Sequence, residues 1–284
     1  MIPGGLKFDI NLSILFTEVP LTDRPAAAAE AGFGAVEFWW PFRDAVPMDR
    51  EVDDFVDSLA AAGTRLVGLN LFAGDMPAGE RGVLSVPGRE QEFRSSLDVL
   101  TAIAERTGCT AFNALYGQRV PGISPRRQDE LALENLALAA DAVGRIGGTL
   151  LIEPLAQGEN GQYPLLRAHQ VLSILDRLET EAGVFNARML ADVYHLSRNG
   201  DDILEVLTTM LPRIGHVQIA DVPGRHEPGT GALDFEEIFR VLAEHGYAGY
   251  VGLEYRPSRA SAQTLGWLPA TLRLYHPSND ERRS

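Results

Sequence analysis

Hydrophobic and polar positions along the chain follow two alternating periods. Short apolar runs rich in β-branched and aromatic residues occupy positions 8–16, 35–40, 66–72, 110–116, 149–155, 186–195, 216–221 and 250–255, each bounded by polar or turn-forming residues as strands are. Between them lie stretches whose apolar positions recur at helical spacing. Residues 90–106 and 127–143 are the clearest, the second rich in Ala and Leu with acidic residues on one face. Eight strand-then-helix units, with no long linker, low-complexity tract or break in composition, predict an α/β fold: a single (β/α)8 TIM barrel over residues 1–257. Residues 258–284 remain as a C-terminal extension, packing on the barrel or trailing from it. A doubly wound open sheet is the competing architecture. A dinucleotide-binding version would carry a glycine-rich turn after its first strand, whereas this chain has Leu15-Phe16-Thr17-Glu18 there and no GxxxxGK[ST] motif.

Composition narrows the function classes. With 284 residues, 45% of them hydrophobic, the chain can bury a large core of its own. Its formal charge is −14, from 25 basic and 39 acidic residues, with no cationic block. A phosphate-backbone partner needs clustered cations, so no nucleic acid is expected. Cys109 is the only cysteine, which excludes an internal disulfide and a zinc site built on two thiolates; preceding an apolar strand with no activating base, it reads as a buried structural thiol. The first residues lack a basic segment followed by an apolar one, and no apolar run approaches about 18 residues. A soluble cytoplasmic protein with no membrane contact is therefore expected. A small-molecule partner fits this composition, and a homo-oligomer is compatible with it.

In a barrel the chemistry sits at the C-terminal strand ends, so polar residues there carry the functional signal. The fifth run ends Ile152-Glu153-Pro154, the sixth contains Asp192-Val193-Tyr194-His195, the seventh His216-Val217-Gln218-Ile219-Ala220-Asp221, and the eighth Leu253-Glu254-Tyr255. Strand alternation puts Val217 and Ile219 on one face and His216 and Gln218 on the other, turning Gln218 inward. Glu153, Asp192 and Glu254 take the same inward register. Three carboxylates and a carboxamide make an all-oxygen cage of formal charge −3, which calls for a divalent cation, Mg²⁺ or Mn²⁺ rather than zinc. Each residue alone could equally cap a helix or pair with an arginine; the conjunction carries the reading. His195 stands at a strand end, whereas His216 lies deeper and reads as structural. Trp39, Trp40 and Phe42 either pack or wall off a small polar ligand.

At these strands the sequence resembles the hydroxypyruvate isomerase family, within the xylose-isomerase-like barrels. The resemblance runs from about residue 7 to 257 and is carried by Asn11-Leu12-Ser13, Val36-Glu37-Phe38, Ala73-Gly74-Asp75, Ala78-Gly79-Glu80-Arg81-Gly82, Pro87-Gly88-Arg89-Glu90, Ile152-Glu153-Pro154, Asp192-Val193-Tyr194-His195, the seventh run, Glu227-Pro228-Gly229-Thr230-Gly231 and Glu254-Tyr255. It implies Glu153 and Glu254 as an acid/base pair, and Glu153, Asp192, Gln218 and Glu254 as ligands of a divalent metal. His195, Arg225 and Glu159 match substrate-contact positions of related ketose epimerases. Three positions depart from the common pattern: Leu69-Asn70-Leu71-Phe72 and Ala156 make the mouth more apolar, and Gln218 stands where the epimerases carry a histidine.

The implied reaction is an aldose-ketose type isomerisation of a hydroxy-oxo acid, interconverting hydroxypyruvate and 2-hydroxy-3-oxopropanoate through a cis-enediolate. A carboxylate of ordinary pKa, about 4.3, needs electrostatic help to take a proton from carbon. Arg225, in the loop after the seventh strand, suits the substrate carboxylate because a guanidinium fork matches it. The alternatives are isomerisation of a longer acid such as a 2-oxo-tetronate, ketose 3-epimerisation, glycoside hydrolysis by Glu153 and Glu254, and non-catalytic binding of a sugar acid.

Overall fold

A computed structural model describes residues 2–274. Its strands are β1 (Lys7–Asn11), β2 (Ala35–Phe38), β3 (Arg65–Asn70), β4 (Ala111–Ala114), β5 (Thr149–Ile152), β6 (Ala187–Asp192), β7 (Ile214–Ile219) and β8 (Tyr250–Leu253). They close in chain order into one barrel, with β1 pairing β8 and every neighbouring pair parallel. This is the single (β/α)8 barrel the alternating periods predict. The α-helices are α1 (Arg24–Glu30), α2 (Asp49–Ala62), α3 (Glu90–Thr107), α4 (Pro125–Gly144), α5 (Ala168–Ala182), α6 (Val193–Arg198), α7 (Ile203–Thr209) and α8 (Phe235–Glu244). Ser124 starts α4 by accepting from the Arg127 amide, with Pro125 next, where its missing N–H costs nothing.

Strand alternation divides each β-residue between helices and lumen. Phe8 meets Phe239 of α8 edge-on at 5.6 Å, so Asp9 and Asn11 belong to the opposite, lumenal face. The apolar shell between strands and helices holds the main core, with Phe33, Phe55, Phe93, Phe112 and Phe239 fully buried. Residues beyond β8 continue it: Leu265 and Leu268 are buried, Trp267 stacks on Phe239 at 6.1 Å, and Ser261 Oγ accepts from the Phe16 amide at 2.8 Å. Residues 275–284 of the anticipated extension lie outside the described residues.

Most apolar runs outlast their strands at the C-terminal end. Leu12, Leu15, Leu71, Phe72, Leu115, Tyr116 and Leu155 all stay buried after the ladder ends, because the βα loops first line the barrel's rim before reaching solvent. The largest difference is in run 186–195. There β6 stops at Asp192, whose Oδ1 accepts from the Tyr194 and His195 amides and so caps α6. Tyr194 and His195 therefore ride the first turn of a helix, not a strand.

Candidate active site

The four residues anticipated from the strand ends sit together at the C-terminal mouth. Asp192 closes β6, Gln218 lies near the end of β7, and Glu153 and Glu254 directly follow β5 and β8. All four are buried. Glu153, Glu254, His195, Glu159 and Arg225 line one cavity of about 310 Å³.

The two glutamates differ in what holds them. Glu254 Oε2 accepts from Asn11 Nδ2 at 2.9 Å, Gln218 Nε2 at 2.6 Å and Trp39 Nε1 at 3.3 Å, and its Oε1 accepts from Arg225 Nη2 at 2.5 Å. Glu153 accepts one such bond, from Asn113 Nδ2 at 2.7 Å, with His195 Nε2 3.8 Å from its Oε1. Burial pushes both carboxyls up, Glu254 to about 8 against the pull of Arg225. Glu153 is raised well above the usual range by burial and then by Glu254 and Asp192. Donors that stabilise a carboxylate thus converge on Glu254 and largely miss Glu153.

His195 has a fixed tautomer. The Ala156 amide donates to its Nδ1 at 3.1 Å, so the ring proton sits on Nε2, 3.5 Å from Asp192 Oδ2. Burial, then Arg225, Arg81 and Arg256, hold the ring neutral by driving its pKa well below 6.5. Arg225 is buried over the Tyr194 ring at 5.3 Å, with Nη2 on Glu254 and 3.6 Å from Asp192 Oδ2. Its Nε has no hydrogen-bond partner among the described residues. Glu159 stands at the rim, accepting from Tyr194 Oη at 2.8 Å and Arg198 Nε at 3.2 Å. Of the aromatic trio, Trp39 walls the cavity, while Trp40 packs edge-on against Phe42 and Phe72. Cys109 is buried, its thiol pushed up to about 12 by burial.

Other polar residues here escaped the sequence reading because they come from the first four strands. Asn11 and Asn113 donate to the two glutamates, and Asn70 lines the cavity. Glu37 accepts from Gln218 Nε2 at 2.8 Å, Asn11 Nδ2 at 3.2 Å and His216 Nε2 at 2.9 Å. Inward strand register, applied to β1–β4 as it was to β5–β8, is the signal that finds them.

Two atoms test whether the cage suits a cation. Among the described residues, the buried Asp192 Oδ2 and Gln218 Oε1 have no hydrogen-bond partner, an arrangement costly without a ligand. Gln218 spends its Nε2 on Glu37 and Glu254, leaving only its oxygen, and His195 presents an N–H rather than a lone pair. The atoms left for a metal are oxygens, the free Asp192 Oδ2 and Gln218 Oε1 with the Glu153 carboxylate that groups with Asp192, and these fit a cation, whereas both Glu254 oxygens already accept hydrogen bonds.

Residues 25–271 match the family model of xylose isomerase-like TIM barrels. The chain is 52% identical to a Streptomyces coelicolor protein provisionally named hydroxypyruvate isomerase, covering 94% of this chain and 97% of the other. It is 34% identical to the hydroxypyruvate isomerase of Escherichia coli, over 93% and 98% of the two chains. The chain belongs to the hydroxypyruvate isomerase family. It is an isomerase. Within this family it is also 36% identical to the 2-oxo-tetronate isomerase of Cupriavidus necator, over 92% and 97% of the chains. Among solved structures, a Brucella melitensis protein described as an AP endonuclease of family 2 superposes with a TM-score of 0.83 at 35% identity, over 92% and 97% of the chains. No helix among the described residues is long and apolar enough to cross a membrane.

Proposed function

We propose that this isomerase acts on a small hydroxy-oxo acid, interconverting hydroxypyruvate and 2-hydroxy-3-oxopropanoate, with Glu254 and Glu153 as the proton-transfer pair. The observation that carries this reading is their asymmetry: four donors favour the carboxylate at Glu254, one at Glu153. Glu254 as carboxylate takes the C3 proton of hydroxypyruvate, and the electron pair moves to form a cis-enediolate. Glu153 as acid gives its proton to C2, while the C3 hydroxyl proton passes to the C2 oxygen. Proton exchange with solvent resets both groups. His195 donates Nε2–H to a substrate oxygen, Arg225 favours the ionised form of Glu254 against the effect of burial, and Glu159 borders the outer end of the substrate. Glu153, Asp192 and Gln218 would hold Mg²⁺ or Mn²⁺, which would supply positive charge beside the oxygens that become negative when the proton leaves.

The second reading is isomerisation of a 2-oxo-tetronate, favoured by the Cupriavidus necator relative and by a cavity of about 310 Å³ that has room for another carbon. A ketose 3-epimerase and a glycoside hydrolase fit less well. The site's arginines address an acid, and a cation beside the reacting oxygens would give Asp192 and Gln218 a purpose that hydrolysis by two carboxylates would not. A nuclease activity is disfavoured by the −14 charge and by a single histidine, His195, in the cavity.

The test is direct. Chelator-treated enzyme, reloaded with Mg²⁺ or Mn²⁺, is incubated with hydroxypyruvate, a 2-oxo-tetronate and a neutral ketose, and products are followed by NMR. Hydroxypyruvate should give the highest kcat/KM; preference for the neutral ketose, or turnover of neither acid, would overturn the proposal.

A further inference from the structure

Arg81, in Ala78-Gly79-Glu80-Arg81-Gly82, has no task in the chemistry above. Its side chain is half-buried and lines the same cavity as Glu153, His195 and Glu254. Nε donates to Asn160 Oδ1 at 2.9 Å, and Nη1 donates to the carbonyls of Met76 at 3.1 Å and Glu80 at 2.6 Å. These acceptors are all neutral. Among the described residues Arg81 pairs with no carboxylate, and its Nη2 has no hydrogen-bond partner. The guanidinium is oriented on two of its nitrogens and uncompensated in charge, the form suited to an arriving anion.

Its neighbours add to that charge. Arg225 and Arg256 line the same cavity. Burial, then these two arginines, bear against the protonated form of Arg81. Arg225 is matched by Glu254 and Asp192, so its charge is already spent within the protein. On a chain of net charge −14, a cationic rim at this one mouth draws an anionic ligand to it.

The loop is also built to keep Arg81 there. Glu80 Oε2 accepts from the Asp75 amide at 2.6 Å, and its Oε1 pairs with Arg89 Nη1 at 2.6 Å. Arg89 in turn grips Glu92 through Nε and Nη2. The Gly117 amide donates to the Arg81 carbonyl at 3.1 Å. Gly82 has φ +100°, and a Cβ there would lie 2.0 Å from the Leu115 carbonyl oxygen, so only glycine lets the loop lie so close. The two sequence signatures around Arg81 and Arg89 form one device, a braced turn that presents a guanidinium to the mouth.

We infer that Arg81 is the residue that recognises the substrate's carboxylate and lets the enzyme prefer an acid to a neutral ketose, with Glu80 and Arg89 as its positioning residues. The inference rests on the hydroxy-oxo acid reading and assigns within it the task that the sequence gives to Arg225.

The experiment compares metal-loaded wild type, Arg81→Ala and Arg81→Lys on hydroxypyruvate and on dihydroxyacetone, in which a hydroxymethyl group replaces the carboxylate. Arg81→Ala should lower kcat/KM for hydroxypyruvate by roughly 30- to 1000-fold, the loss of one desolvated charged contact, chiefly through KM. Activity on dihydroxyacetone should stay within a few fold, and Arg81→Lys should recover little, lacking the planar fork. Calorimetric titration with glycerate, an unreactive hydroxy acid, gives a readout independent of turnover: Arg81→Ala should weaken it while leaving Mn²⁺ binding and Tm unchanged. Glycerate bound equally by both proteins, or equal losses on hydroxypyruvate and dihydroxyacetone, would overturn the inference. A wild type that turns over neither acid, yet loses glycerate affinity on Arg81→Ala, would refute the isomerisation reading and leave the assignment of Arg81 standing.

Discussion

Asp9, Glu37 and His216 form one buried cluster in the lumen; Glu153, Asp192 and His195 form another at the mouth, beside Glu254, which lies two residues beyond Gly252, the β8 partner of Asp9. Both carry raised carboxyl pKa values, and both contain a carboxylate oxygen without a partner. They differ in closure. In the lower cluster, burial opposes the charge on His216 but Glu37 at 2.9 Å outweighs it and holds the imidazolium to about 9. The space is then filled: a Cβ on Gly252 would lie 2.8 Å from Glu37 Oε1 and 2.9 Å from His216 Nε2. In the upper cluster Glu153 and His195 line a cavity of ligand size together with Glu254, Arg81, Arg225 and Arg256, and the free Asp192 Oδ2 lies 3.5 Å from His195 Nε2 and 3.6 Å from Arg225 Nη2. Burial and perturbed acidity are common to both, so they do not mark the active site by themselves; unspent acceptors beside an open, oppositely charged cavity do.

That contrast can be broken by substitution. Glu153→Gln and Glu254→Gln should each lower kcat by about 10²- to 10⁴-fold while the fold, read by circular dichroism, survives. His216→Ala should cost the lower cluster about 3–5 kcal/mol of stability in urea unfolding, since Glu37 is left buried without its imidazolium. Metal should separate the clusters as well: Mg²⁺ or Mn²⁺ should raise Tm by mass action, and Asp192→Ala should abolish that shift. Without metal, stability should depend on pH with a definite sign. Glu254, ordinarily near 4.5, titrates near 8 in the fold, and His216, ordinarily near 6.5, near 9. The folded chain holds protons that the unfolded chain has released, so Tm in chelator should fall as pH rises from 6.5 to 8. His195 acts in the opposite sense only below 6.5. The smallest effect belongs to Asp9→Asn. Burial, then Glu37, push the Asp9 carboxyl well above its usual range and so favour its neutral form, and a neutral amide should leave activity within a few fold and Tm little changed.

The sequence makes the barrel legible through period: eight apolar runs separated by helical stretches admit few other architectures. Strand ends were less legible, because Leu71, Phe72 and Leu155 keep an apolar pattern after their hydrogen-bonded ladders have stopped. Half of the site could be read from β5–β8, where carboxylates interrupt apolar runs. The other half was hidden in Asn11, Asn70 and Asn113, neutral residues whose importance comes only from what they face. Arg225 illustrates the limit of a loop position: it places the guanidinium over the mouth, but the choice of Glu254 as its partner depends on three-dimensional distance.

The central claim is that the two glutamates divide the proton transfer unequally, and the most direct measurement follows deuterium. Hydroxypyruvate is incubated in D₂O with metal-loaded wild type, Glu153→Gln and Glu254→Gln, recording C3 exchange and product separately. Wild type should do both; Glu153→Gln should still exchange the C3 hydrogen yet form little 2-hydroxy-3-oxopropanoate, and Glu254→Gln should do neither. C3 exchange at the wild-type rate in Glu254→Gln, or its equal loss from both variants, would contradict the account.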